Sequence, residues 1–566
     1  MNWDCPIPLK RWQGFRSKRM GIEAFLSKEN FEQAALSELE SGLSEHELKT
    51  LGRLLERGKK TELEVFIRSH GSNPLFDSDA PLEGLVGIVK ADRVDLSKPA
   101  TEEANRAILE GKVVHVLFQA GEASRFRQGP FYSLKLIPFV EQFLSQTLSS
   151  KDDTASQIIK ETTLQLKKVR ETAAQQKSEA VDFILNSSFG PMQPILIRAA
   201  LRRIVTDEVE SGRVSKKSAV ALYKKAIKNQ KILFFVSRRN DVSLLHDKSL
   251  RETFQFYGFN PQNLVTIEQE LPRGLNVSSE GVVSTIEDNW SEDAVGHLYA
   301  LIQAARTGGF TTYTESGRPI KPMELDAFFY LESRGASFLN IIRINDMDRH
   351  TVEIINPKSL AYALDTFEKG YVDVIETVAN PEKQKGGTGL TFGNPDIHIL
   401  TETHENSFPA LSRAVEPAIG KYLEENKGQH PAYNAMRQWC VMPATRRVLR
   451  EYGGRIVFVP RQKNVDGVLK SYIGVDMPMG DLSLLYRFYK SRMFQFYVPP
   501  HQELLIHDMK QLEHLPIALK ALQAQLESVH VISAVEEVLS GKINLFSRLS
   551  PQLSAYGAPA SEFNEN

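Results

Sequence analysis

The hydrophobic pattern changes character along the chain. Between residues 21 and about 70 apolar positions recur at helical spacing, as in Phe31-Glu-Gln-Ala-Ala-Leu-Ser-Glu-Leu39 and Glu47-Leu-Lys-Thr-Leu-Gly-Arg-Leu-Leu55. Ser72-Asn73-Pro74 and Ala80-Pro81 then read as a turn-rich link. From Val113 short apolar runs alternate with helical stretches, the pattern of an α/β domain with a largely parallel sheet. The strands predicted are Val113–Phe118, Lys231–Val236, Leu264–Ile267, Ala327–Leu331, Phe338–Ile344, Val372–Thr377 and Arg455–Pro460. Helices are expected between them, among others Pro194–Ile204, Ser243–Phe256 and Ser359–Phe367.

This divides the 566 residues into a helical N-terminal region (1–100), a catalytic domain (101–480) and a mainly helical C-terminal region (481–566) with a disordered tail. Residues 141–180 are long, polar and helix-prone, with Lys167, Lys168 and Arg170 in a run. They read as a solvated helical insertion, or as a lid that brings cations to a substrate.

Composition narrows the class. A formal net charge of −1 gives no global basic field for nucleic acid or an anionic membrane. Two cysteines, Cys5 and Cys440, build neither a disulfide framework nor a thiolate metal cluster and fit a reducing cytoplasm. No leader with an apolar core is expected in the first twenty residues, and no membrane span anywhere.

The chemistry concentrates after the first strand. Val113–Phe118 runs into a small-residue turn (Ala120, Gly121, Ala123 and Ser124, around Glu122) closed by Arg125, with Lys135 ten residues on. Small residues let backbone N–H groups approach an anion, and two cations neutralise a triphosphate or leaving pyrophosphate. With Gly121 as its only glycine, the loop is neither a Walker A loop nor a dinucleotide fingerprint. Ser237 is a further candidate, at the carboxyl end of the second strand.

The loop resembles the signature of sugar nucleotidyltransferases, in which Gly-x-Gly-Thr-Arg precedes Pro-Lys; here Ala123 replaces a glycine and Leu134 the proline. The chain beyond the loop is similar, in order, to the eukaryotic-type UDP-sugar pyrophosphorylases, the UDP-glucose and UDP-N-acetylglucosamine enzymes. Val236-Ser237, Tyr257-Gly258-Phe259, Glu268-Gln269, Pro272 and Gly296-His297-Leu298-Tyr299 stand where that family has its strand end, aromatic turn, glutamine, proline and Gly-rich segment. The resemblance spans about residues 110 to 480; a late lysine of the family has no clean match, Lys463 and Lys470 being the nearest.

The resemblance implies a Rossmann-like, GT-A-like nucleotidyltransferase fold and a Mg2+-dependent uridylyltransferase. It would join UTP and a sugar 1-phosphate into a UDP-sugar and pyrophosphate. Arg125 and Lys135 would be catalytic. Ala120, Gly121, Glu122, Ser124, Gln269, Pro272, Gly296 and His297 would bind the nucleotide, Gln269 through the imide edge of uracil. Asn394 would bind the sugar, and Asp346 and Asp396 the metal, with Asp346 preferred to Asp348 as nearer the strand end. Simpler roles remain open: a surface strand residue for Gln269, a helix-start histidine for His297, turn-capping carboxylates for Asp346 and Asp348. Two other functions stay in view, a glycosyltransferase using Asp346-Met347-Asp348 as a D-x-D metal site and a non-catalytic nucleotide-sugar binder. The helical ends leave room for a protein partner or a homo-oligomer.

Overall fold

The computed structural model describes residues 27–70, 85–89, 92–93, 100–118, 136–147, 153–186, 189–237, 251–293, 295–342, 354–378, 387–392, 398–402, 409–452, 456–477, 479–488, 492–497 and 515–542. In chain order, α1 (Lys28–Gly42), α2 (Glu45–Glu56) and α3 (Lys60–His70) precede β1 (Leu85–Ile88), β2 (Asp92–Arg93), α4 (Glu102–Leu109) and β3 (Val113–Phe118). Then come α5 (Leu136–Thr147), α6 (Asp153–Gln176), α7 (Glu179–Asn186), α8 (Phe189–Glu210) and α9 (Lys216–Asn229). Next are β4 (Lys231–Ser237), β5 (Leu264–Gln269), β6 (Leu275–Val277), β7 (Val283–Thr285), α10 (His297–Ala304), β8 (Thr312–Tyr313) and β9 (Pro319–Ile320). The middle continues through α11 (Ala327–Ser333), β10 (Phe338–Ile342), α12 (Pro357–Glu368), β11 (Tyr371–Val378), β12 (Gly387–Phe392), β13 (His398–Glu402) and α13 (Pro409–Glu425). Last are β14 (Tyr433–Val441), α14 (Met442–Tyr452), β15 (Val457–Val465), β16 (Val468–Asp476), α15 (Asp481–Phe488), β17 (Arg492–Tyr497), α16 (Leu515–Glu527) and α17 (Val529–Lys542).

The main sheet runs β2-β17-β11-β14-β10-β3-β4-β5. Every neighbouring pair is parallel except those made by β14, which is antiparallel to both β10 and β11. This is the expected mixed, mostly parallel sheet of an α/β fold. Strands β3, β4 and β5 are largely apolar on both faces, as a sheet covered on both sides requires. One core lies under α4–α9, α12, α16 and α17, with Ile232, Phe234 and Trp439; the other lies under α1–α3, α10, α11 and α14, with Val116, Phe235 and Cys440. A second, antiparallel sheet of order β15-β16-β6-β7 is cradled by α1, α2 and α3. Its β15–β16 hairpin turns on Asp466-Gly467, both at positive φ (52° and 84°), the two-residue turn whose twist suits paired strands.

Most expected strands form where periodicity puts them; one does not. Ala327–Leu331 lies within helix α11, with Ala327, Phe328 and Leu331 buried at helical spacing and Asp326 capping the Phe329 N–H. Its aromatic run looks β-prone, but the Asp cap and the i, i+1, i+4 burial decide for helix. Strands absent from the expectation, among them β14 and β17, complete the sheet, so it extends past residue 480. In the expected helical ends, β1 and β2 pair with the main sheet, while α16 and α17 pack on α6, α7 and α8. There Gln176 donates to the Leu526 carbonyl at 2.6 Å, and Arg198 pairs with Glu537 at 2.7 Å. Helix α6 buries Leu166 and Val169, while exposed Lys167 pairs with Glu171 and exposed Arg170 with Glu141. The helix is thus packed along one face with these cations at the surface. The expected tail lies outside the described residues. Among these, no helix is long and apolar enough to cross a membrane.

Candidate active site at the sheet's switch point

The strand order dictates where a ligand can enter. From β3 the chain moves outward to β4 and β5; β10 then lies on the other side of β3. In an open α/β sheet the ligand crevice lies outside the carboxyl ends of the strands where the order reverses, here β3 and β10. Phe118 and Ile342 end these strands, with Leu117 paired to Ile342. The two segments that leave there are 119–135 and 343–353.

One wall is built by β3, β4, β5 and the start of α10. The Phe118 ring stacks on Phe235 at 5.0 Å and meets the half-buried His297 ring at 4.2 Å. Gln269 ends β5, opposite Ser237, and is only 4% exposed. The next residue is tied down: the Glu270 carboxylate accepts from the Tyr299 hydroxyl and from Arg306, each at 3.0 Å. The carbonyl of buried Pro272 accepts from the Asp293 N–H at 3.2 Å. Gly296 sits at φ 94°, and a Cβ there would lie 2.5 Å from Asp476 Oδ1 and 2.6 Å from the Met477 carbonyl. Only glycine fits, and the close approach it permits is to the end of β16.

The other wall is built by β10, β14 and β11, and it is polar. Glu376 and Arg437 face each other across β11 and β14, 1% and 0% exposed, with Nε 3.9 Å from Oε2. Ser359 of α12 donates to Glu376 at 3.1 Å and accepts from the Trp439 indole N–H at 2.8 Å. Asn340 donates to the Ile354 carbonyl at 2.9 Å, so β10 holds the returning end of segment 343–353. Two residues on, Asn356 caps α12, with Pro357 at its first position.

Beneath Asn340 the network fixes a tautomer. The Gln230 amide nitrogen donates to the Ile108 and Ala226 carbonyls, so its oxygen accepts from His115 Nε2 at 3.2 Å. His115 Nδ1 is left to accept from Asn340 at 3.2 Å. Burial pushes the imidazole pKa down to about 4, further lowered by Arg437 and opposed by the Gln230 bond, so the ring is neutral. On the opposite face Asp373 accepts from Gln438 at 2.7 Å; burial raises its carboxyl to about 7 despite that bond.

The sequence-predicted residues divide accordingly. Gln269, Pro272, Gly296 and His297 line or support the first wall. Ala120, Gly121, Glu122, Ser124, Arg125, Lys135, Asp346, Asn394 and Asp396 lie outside the described residues. Lys463 and Lys470 are cross-strand partners on the β15–β16 hairpin, and Lys470 lies over the Trp290 ring at 5.2 Å. Among the described residues no group of three or more His, Cys, Asp or Glu is placed to hold a metal ion. Sequence reasoning missed Glu376 and Arg437. The available signal was a pair of charges inside apolar strand sequence, which a core tolerates only when they meet a partner.

No protein-family model and no curated protein sequence matches the chain. Among solved structures, the uridine diphosphate N-acetylglucosamine pyrophosphorylase of Trypanosoma brucei is 11% identical, with 95% of this chain and 89% of that one covered and a TM-score of 0.46. A mutant UDP-glucose pyrophosphorylase from Leishmania major is 14% identical over 82% of this chain and 77% of that one, at TM-score 0.43. At such identities and scores, the architecture is defined by the chain's own strand order and register.

Proposed function

We propose that the chain is a Mg2+-dependent uridylyltransferase of the cytoplasm that makes a UDP-sugar and pyrophosphate from UTP and a sugar 1-phosphate. One observation carries this reading. The segments selected from sequence as phosphate loop and metal loop lie far apart along the chain, yet leave adjacent parallel strands at the switch point.

The chemistry asks for positioning and charge, with no protein nucleophile. An oxygen of the sugar phosphate attacks the α-phosphorus of UTP in line. A P–O bond forms, the bond to the β-phosphate oxygen breaks, and pyrophosphate departs with the electron pair. Arg125 and Lys135 would neutralise the triphosphate and the leaving group. Gln269 would present its amide to the uracil edge, beside His297. Asp346 and Asp396 offer the hard oxygen donors that suit Mg2+, which when bound would neutralise phosphate charge. Asn394 would contact the sugar.

The test is pyrophosphate release from UTP and Mg2+ with a panel of sugar 1-phosphates. Release with one sugar is expected, abolished in Asp346→Asn and cut about 100-fold in Lys135→Ala with melting unchanged. Silence across the panel from a folded chain defeats the reading, and UDP release from a nucleotide sugar would replace it with a glycosyltransferase.

A further inference from the structure

Between the end of β5 and the start of α10 the chain makes a long excursion through β6 and β7, and the first turns of α1 grip it at both ends. At the outgoing end, the Glu32 carboxylate accepts from the Arg273 main-chain N–H at 2.8 Å. It also accepts from Arg273 Nη2 at 2.8 Å and Nε at 3.2 Å. Glu32 is 4% exposed, and its charge is met by the Arg273 fork and, at 3.9 Å, by Lys28. At the returning end, Lys28 of the preceding turn pairs with Glu292. Between them, fully buried Phe31 packs on the Tyr299 ring at 4.6 Å, inside α10. One helical turn and its neighbour thus touch Arg273, Glu292 and Tyr299, three points that flank Pro272, Gly296 and His297.

The excursion is short of regular structure of its own. β6 and β7 are three residues each, and β6 joins β16 through a single paired position, Ile473 with Leu275. A segment with so few ladder bonds needs outside contacts to hold a fixed geometry. Ser44 and Glu47 form a capping box on the neighbouring α2, and Gly52 of α2 lies against the Ser278 carbonyl, where a Cβ would come within 1.9 Å. Among the N-terminal helices α2 braces the far end of the excursion and α1 reaches the residues bordering the crevice, while β16 holds the returning end from its other side, Met477 donating to the Val295 carbonyl and accepting from the Leu298 N–H.

We propose that α1 is a clasp that holds the nucleotide-side wall in register, with Glu32 and Arg273 as positioning residues for nucleotide binding. This rests on the uridylyltransferase reading for its ligand. The clasp itself is a property of the free chain and is read without ligand. Neither residue touches substrate; each acts through the backbone that carries Pro272, Gly296 and His297. Preorganised walls bind tighter because less ordering is left to do on binding.

The experiment compares Glu32→Gln with wild type in the full chain, by amide hydrogen exchange without ligand and by calorimetric titration with UTP and Mg2+. Arg213→Gln serves as the control, because Arg213 also forms a two-bond pair with a carboxylate, Glu208, but under the other face of the sheet. Glu32→Gln should speed exchange across residues 274–296 and weaken UTP about tenfold. Arg213→Gln should change neither. Arg273→Lys, which keeps the charge and the main-chain donor, should loosen the same segment less. Wild-type exchange across 274–296 in Glu32→Gln, or equal weakening in the control, overturns the proposal. If the segment loosens but wild type binds no UTP, the clasp survives only as a structural device and its role in nucleotide binding falls with the uridylyltransferase reading.

Discussion

The two walls of the crevice are built on different principles. The wall of β3, β4 and β5 is a stack of apolar side chains, with Val116, Leu233, Phe235, Val265 and Ile267 all buried. The wall of β10, β14 and β11 puts Asn340, Arg437, Gln438, Glu376 and Asp373 into equally buried positions. The first wall owes its stability to burial, roughly 1.5–3 kcal/mol for each large aliphatic or aromatic side chain. The second depends on each polar group finding its partner, because an unmatched one costs more than a matched one gains. The same sheet therefore has a half dominated by apolar burial and a half dominated by paired polar groups, and His115 of β3 joins the two through its bond to Asn340.

The largest break in this contrast is Arg437→Met. It strips Glu376 of its buried counter-charge and is expected to cost about 3–5 kcal/mol in urea unfolding. Adding Glu376→Gln should recover much of that loss; a double variant no better than the single would show that the cost does not come from an unpaired Glu376 carboxylate.

Next comes pH, acting in two opposed windows. His115 has a folded pKa of about 4, below its unfolded value of about 6.5. The unfolded chain binds the extra proton, so stability is lost as pH falls from about 6.5 to 4. Asp373 has a folded pKa of about 7, above its unfolded value of about 3.9. The native state binds the extra proton, so stability is lost as pH rises from about 4 to 7. Asp373→Asn should remove the loss on the alkaline side alone, an effect on the order of a few kcal/mol in denaturant midpoints taken from pH 4 to 8. An unchanged profile would mean that the carboxyl is ionised in the folded chain.

The smallest effect belongs to the apolar wall. Ile267→Val should cost about 1 kcal/mol, the same at pH 5 and pH 8. A pH-dependent cost would blur the distinction between the walls.

The same contrast explains what could be read in advance. β3, β4 and β5 are continuous apolar runs, and periodicity places them within two residues. β14 reads Tyr-Asn-Ala-Met-Arg-Gln-Trp-Cys-Val, and its polar residues make sense only beside Glu376 and Asp373, which no local window contains. β17 is short and lies amid helical sequence, and its place is fixed by long-range pairing with β11. The places of Gln269 at a strand end and His297 at a helix start were legible through order and spacing. The packing demand on Gly296 was not legible: its missing side chain makes room for Asp476 and Met477, a contact that exists only once β16 is in place.

One pairing bears on how the chain assembles. β2, at Asp92–Arg93, finds its parallel partner in β17, at Phe496–Tyr497. During synthesis the earlier strand emerges long before the later one exists, while β3, β4 and β5 can already zip together. That edge of the sheet is therefore a late event, and until it closes β11 has a bare flank open to other chains. Expression of this protein should accordingly depend on whatever shields a nascent chain during that interval.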